Sequence, residues 1–518
     1  NLSIELNLTK LTVKRVIIMN EHKFGRIRQI LWPIHNYELK KLIPMLLMFF
    51  FISFNYSVVR NIKDALVITA PGSGAETVTY LKFWGVIPAA VIFMIIYAEL
   101  SNLLSKAHLF YASIVPFVIF FIIFDLVLYP MRDILHPHEL AIKWQESAPE
   151  GLYYFIAMFR NWSFSLFYIF AELWGSVVLS LLFWGFANDT TNIEESKRFY
   201  ALFGVGANLA LSASGFVTTH YASIYKTLPV GIDPMQVTLD GLIATFTACG
   251  VLIIVIYWWI NRYILTDKKF FDASKIKKKE AKPKMSLKDS LAFLTHSKYM
   301  LYIAILVVAY GICINLIEVT WKGQVRLLYP NTNDFLHFMG RYNHFVAFTT
   351  IFMMLFVTGN VLRVFGWRVA ALITPVVLLI TGVLFFALII FMDEAQPIVE
   401  GIFSTTTLHA AVIVGLIQNV MSKSAKYSLF DPTKEMTYIP LDQESKVKGK
   451  AAIDVVGSRL GKAGGSLIQQ GLLFIGPLSV ITPYIAAIIL AIISVWIAAA
   501  YKLGSKFAYR SKHPQSYT

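Results

Sequence analysis

The stretch ASIVPFVIFFIIFDLVLY, residues 112–129, decides the class of fold. It is almost entirely apolar and has no polar face that a helix resting against water would need. Crossing the roughly 30 Å hydrocarbon core of a bilayer takes about 20 apolar residues as a helix, which satisfies its own backbone polar groups. The stretch is therefore predicted to span a membrane, and not to be a buried helix of a water-soluble domain.

The rest of the chain has the same character. Of its 518 residues 57% are hydrophobic and only 15% are charged, whereas soluble domains average about 45–50% apolar and about 25% charged residues. The sequence predicts an all-α polytopic membrane protein with twelve transmembrane helices. Their approximate bounds are 41–59, 83–102, 107–130, 163–187, 199–218, 239–261, 299–321, 342–364, 368–392, 401–421, 452–476 and 480–502.

The charged segment KKFFDASKIKKKEAKPKMSLK, residues 268–288, divides these spans six and six. Two six-helix halves that enclose a site near the bilayer midplane are typical of major-facilitator-like transporters. The predicted organisation is an N-terminal segment, a first half, a basic cytoplasmic linker, a second half and a cytoplasmic tail. Their bounds are 1–40, 41–261, 262–298, 299–502 and 503–518.

The net charge of +15 has a distribution typical of membrane topology. Lysine and arginine collect at both termini, in the linker and between spans ten and eleven, all on one side of a twelve-span arrangement. Because cytoplasmic loops carry such an excess, both termini are predicted to be cytoplasmic, and nucleic acid is not an expected partner.

The natural start is expected at Met19. Cys249 and Cys313 lie in spans of opposite halves and indicate no disulfide framework.

Polar and charged residues inside the spans or at their entrances are the candidates for function. An ionised side chain near the bilayer centre costs about 2.5–3.5 kcal/mol on insertion scales, so it usually faces a polar cavity or a partner. Glu172 is flanked by apolar residues and has no cation within one helical turn. Glu318 and Lys322 are spaced to form a structural pair, and Lys82 and Lys322 are long enough to reach the interface. The candidates are Lys82, Arg160, Glu172, Asn208, Glu318 and Lys462.

The segment KVKGKAAIDVVGSRLGKAGGSLIQQ, residues 446–470, carries five cations and one acid. This excess indicates a multiply charged anion as substrate, because lysine and arginine are the usual phosphate ligands. GSRLGKA is not a phosphate-binding P-loop, because only three residues separate its glycines and Ala463 follows Lys462. ATP hydrolysis is therefore not predicted. The histidines of HPHE, residues 136–139, are expected to be solvated and not to bind a metal.

Seven strings carry a resemblance to a known family. They are LWPIHNYELKKLIPMLLMFFFISFNY, VITAPGSGAE, AELWGSVVLSLLFWGFAN, FYALFGVGANLAL, VAYGICINLIEVTWK, SKSAKYSLFDPTKEMTYIPLD and KVKGKAAIDVV. Over nearly all of residues 23–505 the chain resembles the nonmitochondrial ATP/ADP antiporters of plastids and obligate intracellular bacteria. The resemblance implies twelve helices related to the major facilitator fold, and uptake of ATP in exchange for ADP and phosphate.

The resemblance also implies roles for individual residues. The family's four charged positions required for transport fall on Lys82, Glu172, Glu318 and Lys462, and its nucleotide-contacting Asn falls on Asn208. The two lysines are expected to be partly neutralised by the two glutamates in the empty carrier. Further candidates for substrate binding are Arg60, Lys63, Phe83, Arg160, Lys322 and Lys446. The chain reads VRNIKD where the family commonly reads LRDTKD, so Asn61 replaces an acid.

The expected function is exchange of ATP for ADP and phosphate by alternating access, without a cofactor and without enzymatic activity. A monomer in lipid is expected to suffice, and the bacterial cell membrane is favoured over the plastid inner envelope. The alternative is a proton-coupled or broad-specificity ribonucleotide importer of the same family, in which Glu172 or Glu318 would titrate.

Overall fold

The computed structural model describes residues 34–267, 292, 294–295, 297–457 and 461–512. Within these ranges the regular secondary structure is helical, as hydrocarbon requires of a chain that spans it with apolar segments. The predicted start at Met19, most of the predicted linker and the last six residues of the predicted tail, 513–518, lie outside the described residues. The all-α polytopic class is confirmed.

Nine helices are described in the first half. They are α1 Leu39–Thr69, α2 Thr77–Leu103, α3 Lys106–Leu128, α4 Arg132–Leu135, α5 His138–Ser147, α6 Glu150–Arg160, α7 Trp162–Thr190, α8 Ile193–Ser223 and α9 Pro234–Ile264. Side-chain caps fix several starts. The side chains of Asn192 and Glu195 form a reciprocal capping box at α8, and the Asp233 carboxylate accepts backbone N–H groups at α9.

Eight helices are described in the second half. They are α10 Lys298–Leu328, α11 Thr332–Phe352, α12 Thr358–Ile390, α13 Met392–Phe403, α14 Thr407–Met436, α15 Gln443–Val456, α16 Lys462–Leu473 and α17 Leu478–Lys512. The Asn331 side chain caps α11, and the Thr406 hydroxyl caps α14.

Nine helical stretches of the described residues are long and apolar enough to cross a membrane, or ten if the bent pair α13–α14 is one span. One stretch, Thr332–Ile390, has 59 residues and would be about 90 Å long, three times the hydrocarbon thickness. It breaks at Gly366, whose φ of +77° is a conformation that glycine adopts without strain. The break at Gly366 lies between predicted spans eight and nine and separates them within this long stretch. Span eleven, near 452–476, falls on the short helices α15 and α16, so the count of twelve stays a prediction there.

Several helices run past the ends that the sequence predicts. Helix α1 continues ten residues beyond residue 59, to Thr69, and α14 continues beyond residue 421, to Met436. The sequence places span ends where charged residues begin. In the structure several of those charges, among them Lys63, Asp64 and Lys423, are buried between helices, and the helices continue through them.

The two halves meet at the end of the bundle opposite Ile34 and Lys512, which we call the far end. Helices α8 and α11 approach so closely that a Cβ on Gly215 would lie 2.6 Å from the Gly340 carbonyl oxygen. Near this crossing Tyr225 donates to Asp334 over 2.6 Å. The hydroxyls of Thr69 and Thr332 lie 2.7 Å apart. The far end is therefore held closed by direct contacts between the halves.

Candidate substrate-binding site

Seven charged side chains from four helices meet between the two halves, and we call them the charged cluster. Its members are Arg60, Lys63 and Asp64 of α1, Glu172 of α7, Glu318 and Lys322 of α10, and Lys423 of α14. Because α1 and α10 are both 31 residues long, the cluster members on these two helices lie about 8–15 Å past the helix midpoints, towards the far end. The cluster thus lies within the membrane-spanning bundle.

Asp64 joins the two halves through two lysines. Its Oδ2 lies 2.7 Å from Lys322 Nζ of the second half, and its Oδ1 lies 2.7 Å from Lys63 Nζ of the first half. Lys63 also contacts Glu172 Oε1 at 3.0 Å. Asp64 and Lys63 each expose only 3% of their side chains, so this ion pair is nearly completely removed from solvent.

Glu318 is shared by cations from both halves. Its Oε1 lies 2.7 Å from Lys322 Nζ, 3.3 Å from Lys423 Nζ and 3.4 Å from Arg60 Nη2. Four cations of the cluster therefore face three carboxylates. An uncompensated buried charge is costly, so a cluster with excess positive charge favours an anion as its additional partner.

Lys82 belongs to a neighbouring polar chain that also crosses between the halves. Its Nζ donates to Asn315 Oδ1 of α10 over 2.5 Å, and Asn315 Nδ2 donates to Ser466 Oγ of α16 over 3.0 Å. Lys462 is the first residue of α16, four residues before Ser466. Its backbone therefore lies about one helical turn from the hydrogen bond between Asn315 and Ser466. The Lys462 side chain lies outside what the structure describes. The hydrogen-bond partner of Lys82 in this chain is Asn315, and its partial neutralisation by Glu172 and Glu318 stays a prediction.

Three of these positions lie in or beside π-helical segments, which often mark functional sites. Lys82 is the second residue of the π-helix Leu81–Val86, and Glu172 lies three residues before the π-helix Gly175–Phe183. Lys423 precedes the π-helix Lys426–Phe430 by the same interval.

Four further predicted substrate residues lie outside both the charged cluster and the polar chain of Lys82. Arg160 is on α6 beyond the membrane spans, where its Nη1 donates to Gln145 over 3.0 Å. Asn208 is buried in α8, and its amide donates to the Gly204 carbonyl. Phe83 packs edge-on against the neighbouring Trp84, and Lys446 is in the first turn of α15. Their roles in binding stay predictions.

The HPHE segment lies beside Arg160 at the far end, and its expected solvation is wrong for His136. This imidazole is 5% exposed, and its Nε2 lies 2.8 Å from the Ser163 hydroxyl. Burial lowers the pKa of His136 to about 4, with a smaller contribution from His138. His138 accepts from Arg160 Nε over 3.2 Å. In the described part of the chain, no three His, Cys, Asp or Glu residues form a group that could hold a metal.

Sequence reasoning missed Asp64 and Lys423 as site residues. From the sequence, Asp64 is only the last residue of VRNIKD after the first span, and Lys423 is only one of the cations between spans ten and eleven. The available signal was polar spacing: Asn419 and Lys423 are four residues apart, so they lie on one face of α14. Asn61, where the family pattern has an acid, accepts a hydrogen bond from Asn343 of α11 over 3.0 Å.

Two helical halves around a buried, cation-rich cluster define a membrane transporter. Solved structures with the same fold include a bacterial homologue of the iron transporter ferroportin, with a TM-score of 0.57 and 13% identity over 90% of this chain and 98% of that one. A D-xylose–proton symporter matches with a TM-score of 0.52 and 12% identity, over 90% and 97% of the two chains. These likenesses confirm the major-facilitator-like fold.

The particular family is shown by sequence. The chain belongs to the TLC ATP/ADP transporter family, whose model matches residues 18–507. It is 55% identical to ADP,ATP carrier protein 1 of Chlamydia muridarum over 94% of this chain and 92% of that protein. It is 48% identical to ADP,ATP carrier protein 2, chloroplastic, of Arabidopsis thaliana, over 90% and 75% of the two chains. It is 40% identical to ADP,ATP carrier protein 1 of Rickettsia bellii, over 94% and 97%. The family is one of transporters and not of enzymes.

Proposed function

We propose that this chain exchanges ATP for ADP and phosphate across a bacterial cell membrane by alternating access, as a monomer with both termini in the cytoplasm. The observation that carries the proposal is the buried cluster, in which four cations from both halves share three carboxylates. Nucleotide phosphates supply the negative charge that the cluster lacks. The names of its relatives support ATP and ADP as the cargo, and the higher identity to the chlamydial protein supports a bacterial membrane.

The ion pairs that join the halves provide the coupling. In the described conformation, Asp64–Lys322 and Arg60–Glu318 hold the far end closed. An alternating-access carrier closed at the far end takes up substrate from the opposite end, where Ile34 and Lys512 lie. Phosphate oxygens compete with Asp64 and Glu318 for the shared cations. Binding therefore weakens the contacts that favour this conformation. The loaded carrier can then open at the far end and close at the opposite end.

The ion pairs of the empty carrier explain why transport is an exchange. Without an anion, Lys322 and Arg60 keep their carboxylate partners across the interface, and the empty halves do not separate readily at the far end. The return of the carrier is then slow unless a second nucleotide binds. A proton-coupled importer does not share this requirement.

Liposomes that contain the purified protein test the proposal directly. Vesicles preloaded with ADP are expected to take up labelled ATP far faster than empty vesicles, and equal uptake would exclude exchange. A luminal pH indicator in the same vesicles reports any coupled proton movement. Competition by ATP, ADP, GTP, CTP, UTP and NAD, with and without internal phosphate, identifies the cargo.

A matched pair of variants links transport to the site. Lys462→Gln is expected to reduce exchange sharply, because the family pattern requires this lysine. Lys502→Gln removes an exposed lysine of α17 and is expected to leave the rate unchanged. Equal rates for the two variants would remove Lys462 from the site.

A further inference from the structure

Lys423 is a cation of the charged cluster that the family pattern does not assign. Among the three cations around Glu318 Oε1, only Lys322 is at the 2.7 Å of a full charge-assisted hydrogen bond. Lys423 lies at 3.3 Å and Arg60 at 3.4 Å. In the described ranges neither of these two pairs with a second carboxylate, whereas Lys322 also pairs with Asp64. Lys423 and Arg60 are thus the weakly held cations of the cluster.

These two cations come from opposite halves and lie close together. Arg60 is on α1 of the first half, and Lys423 is on α14 of the second half. Arg60 Nη2 and Lys423 Nζ lie 3.4 Å and 3.3 Å from the same oxygen, Glu318 Oε1, so the two nitrogens are no more than about 7 Å apart. One phosphate group that accepts hydrogen bonds of about 2.7–2.9 Å from each can lie between them.

Their exposure sets them apart from the other two cations of the cluster. The side chain of Arg60 is 27% exposed and that of Lys423 is 11% exposed, compared with 5% for Lys322 and 3% for Lys63. The weakly held cations are therefore also the ones that an entering ligand reaches first. Lys423 Nζ lies 5.1 Å from the centre of the Tyr342 ring, which lines one side of this position.

We propose that Lys423 binds a phosphate group of the transported nucleotide and shares it with Arg60, so that one ligand group joins the two halves. This assignment rests on the proposed function, because it names residues that hold its substrate. The phosphate displaces Glu318 from both cations. Glu318 keeps its short contact with Lys322, so the carboxylate is not left without a partner when the ligand arrives.

A ligand series separates phosphate binding from a structural role. Binding is measured by calorimetry on detergent-solubilised, full-length protein with adenosine, AMP, ADP and ATP. Lys423→Gln is expected to weaken ATP and ADP binding by about ten- to a hundredfold, the usual range for a lost hydrogen bond to a charged group. Adenosine binding is expected to stay unchanged, and Lys423→Arg is expected to restore most of the ATP affinity.

Lys426→Gln is the matched control. Lys426 lies less than one turn further along α14, but its charge is already paired with Asp431 at 2.8 Å within the same half. Its removal is expected to leave ATP affinity within about threefold of the wild type, because this charge has its own partner. If Lys423→Gln does not fold, Lys423→Met and Arg60→Gln supply the same comparison.

A second variant distinguishes ligand contact from an effect through Glu318. If Lys423 only positions Glu318, then Lys423→Gln has no further effect in a Glu318→Gln background. If Lys423 contacts phosphate, the loss of ATP affinity persists in that background. An unchanged ATP affinity in Lys423→Gln, or an equal loss for adenosine and ATP, would overturn the assignment. Wild-type protein that binds no nucleotide would instead overturn the proposed function itself.

Discussion

Asp64→Asn tests whether the ion pair between the halves holds the far end closed. The substitution keeps the size of the side chain but removes the charge that Lys322 and Lys63 each approach to 2.7 Å. Both lysines are nearly fully buried, so neither recovers water in the closed state. The closed far end is therefore expected to lose stability relative to the open one.

The free-energy cost of Asp64→Asn depends on the carboxylates that Lys322 and Lys63 keep as partners. Removing one member of a buried ion pair typically costs about 3–5 kcal/mol. Here Lys322 keeps Glu318 at 2.7 Å and Lys63 keeps Glu172 at 3.0 Å, which places the expected cost near the lower limit. A shift of about 3 kcal/mol changes the population of the open far end roughly a hundredfold.

Thiol labelling measures this population. A Thr332→Cys reporter at the far end is labelled with a membrane-impermeant maleimide, while the native Cys249 and Cys313 are buried. The reporter is expected to react up to a hundredfold faster in the Asp64→Asn background, in line with the shift above. Asp431→Asn, which breaks the ion pair to Lys426 inside one half, is the control and is expected to leave the rate unchanged. Equal labelling with and without Asp64→Asn would refute this account of closure.

Three further perturbations test the same architecture. Cysteines at both Thr69 and Thr332, whose hydroxyls are 2.7 Å apart, are expected to form a disulfide on oxidation that stops exchange in proteoliposomes until a reductant is added. Gly215→Leu is expected to push α8 from α11, because its Cβ would lie 2.6 Å from the Gly340 oxygen, and so to speed far-end labelling. Gln418→Met is expected to raise the melting temperature in the absence of ligand. Neither amide atom of the buried Gln418 has a partner among the described residues, and each such atom costs about 1–3 kcal/mol.

Each of these has a matched comparison. Either cysteine alone should leave exchange insensitive to oxidation, and a cross-linked protein that still exchanges would show that the far end need not open. Gly204→Leu places the same side chain on α8 where no atom lies within 4 Å of the added Cβ, so labelling should not change. A lower melting temperature for Gln418→Met would show that the amide is satisfied in the folded protein.

Hydropathy located most of the membrane spans but misjudged where they end. The predicted end of α1 at residue 59 falls ten residues short of Thr69, because the charges of VRNIKD look like a water interface. In the bundle those charges find counter-charges on α7 and α10. Partners in other helices cannot be read from the composition of one segment.

The candidate site shows the same division. The cost of a charge in hydrocarbon singled out Glu172 and Glu318 from the sequence, and the structure places both in the charged cluster. The sequence places Lys423 with the cytoplasmic cations, because its spacing from Asn419 shows that the two share a face but not that α14 turns this lysine towards Glu318. Arg160 looked like a charge at the start of a span, but it lies in the far-end helices with Gln145.

By itself, the sequence determined that the chain spans a membrane with helices, and it indicated a site for an anion. Both conclusions follow from the free energy of transferring a segment from water into hydrocarbon, which depends on the residues of that segment alone. Apolar runs are stable in hydrocarbon, and charges within them need a partner. Which partner each charge takes was decided only by the tertiary structure. Asp64 and Lys322 are 258 residues apart in the chain but 2.7 Å apart in space. The packing of the two halves creates that contact, and it brings four cations to three carboxylates in one buried place.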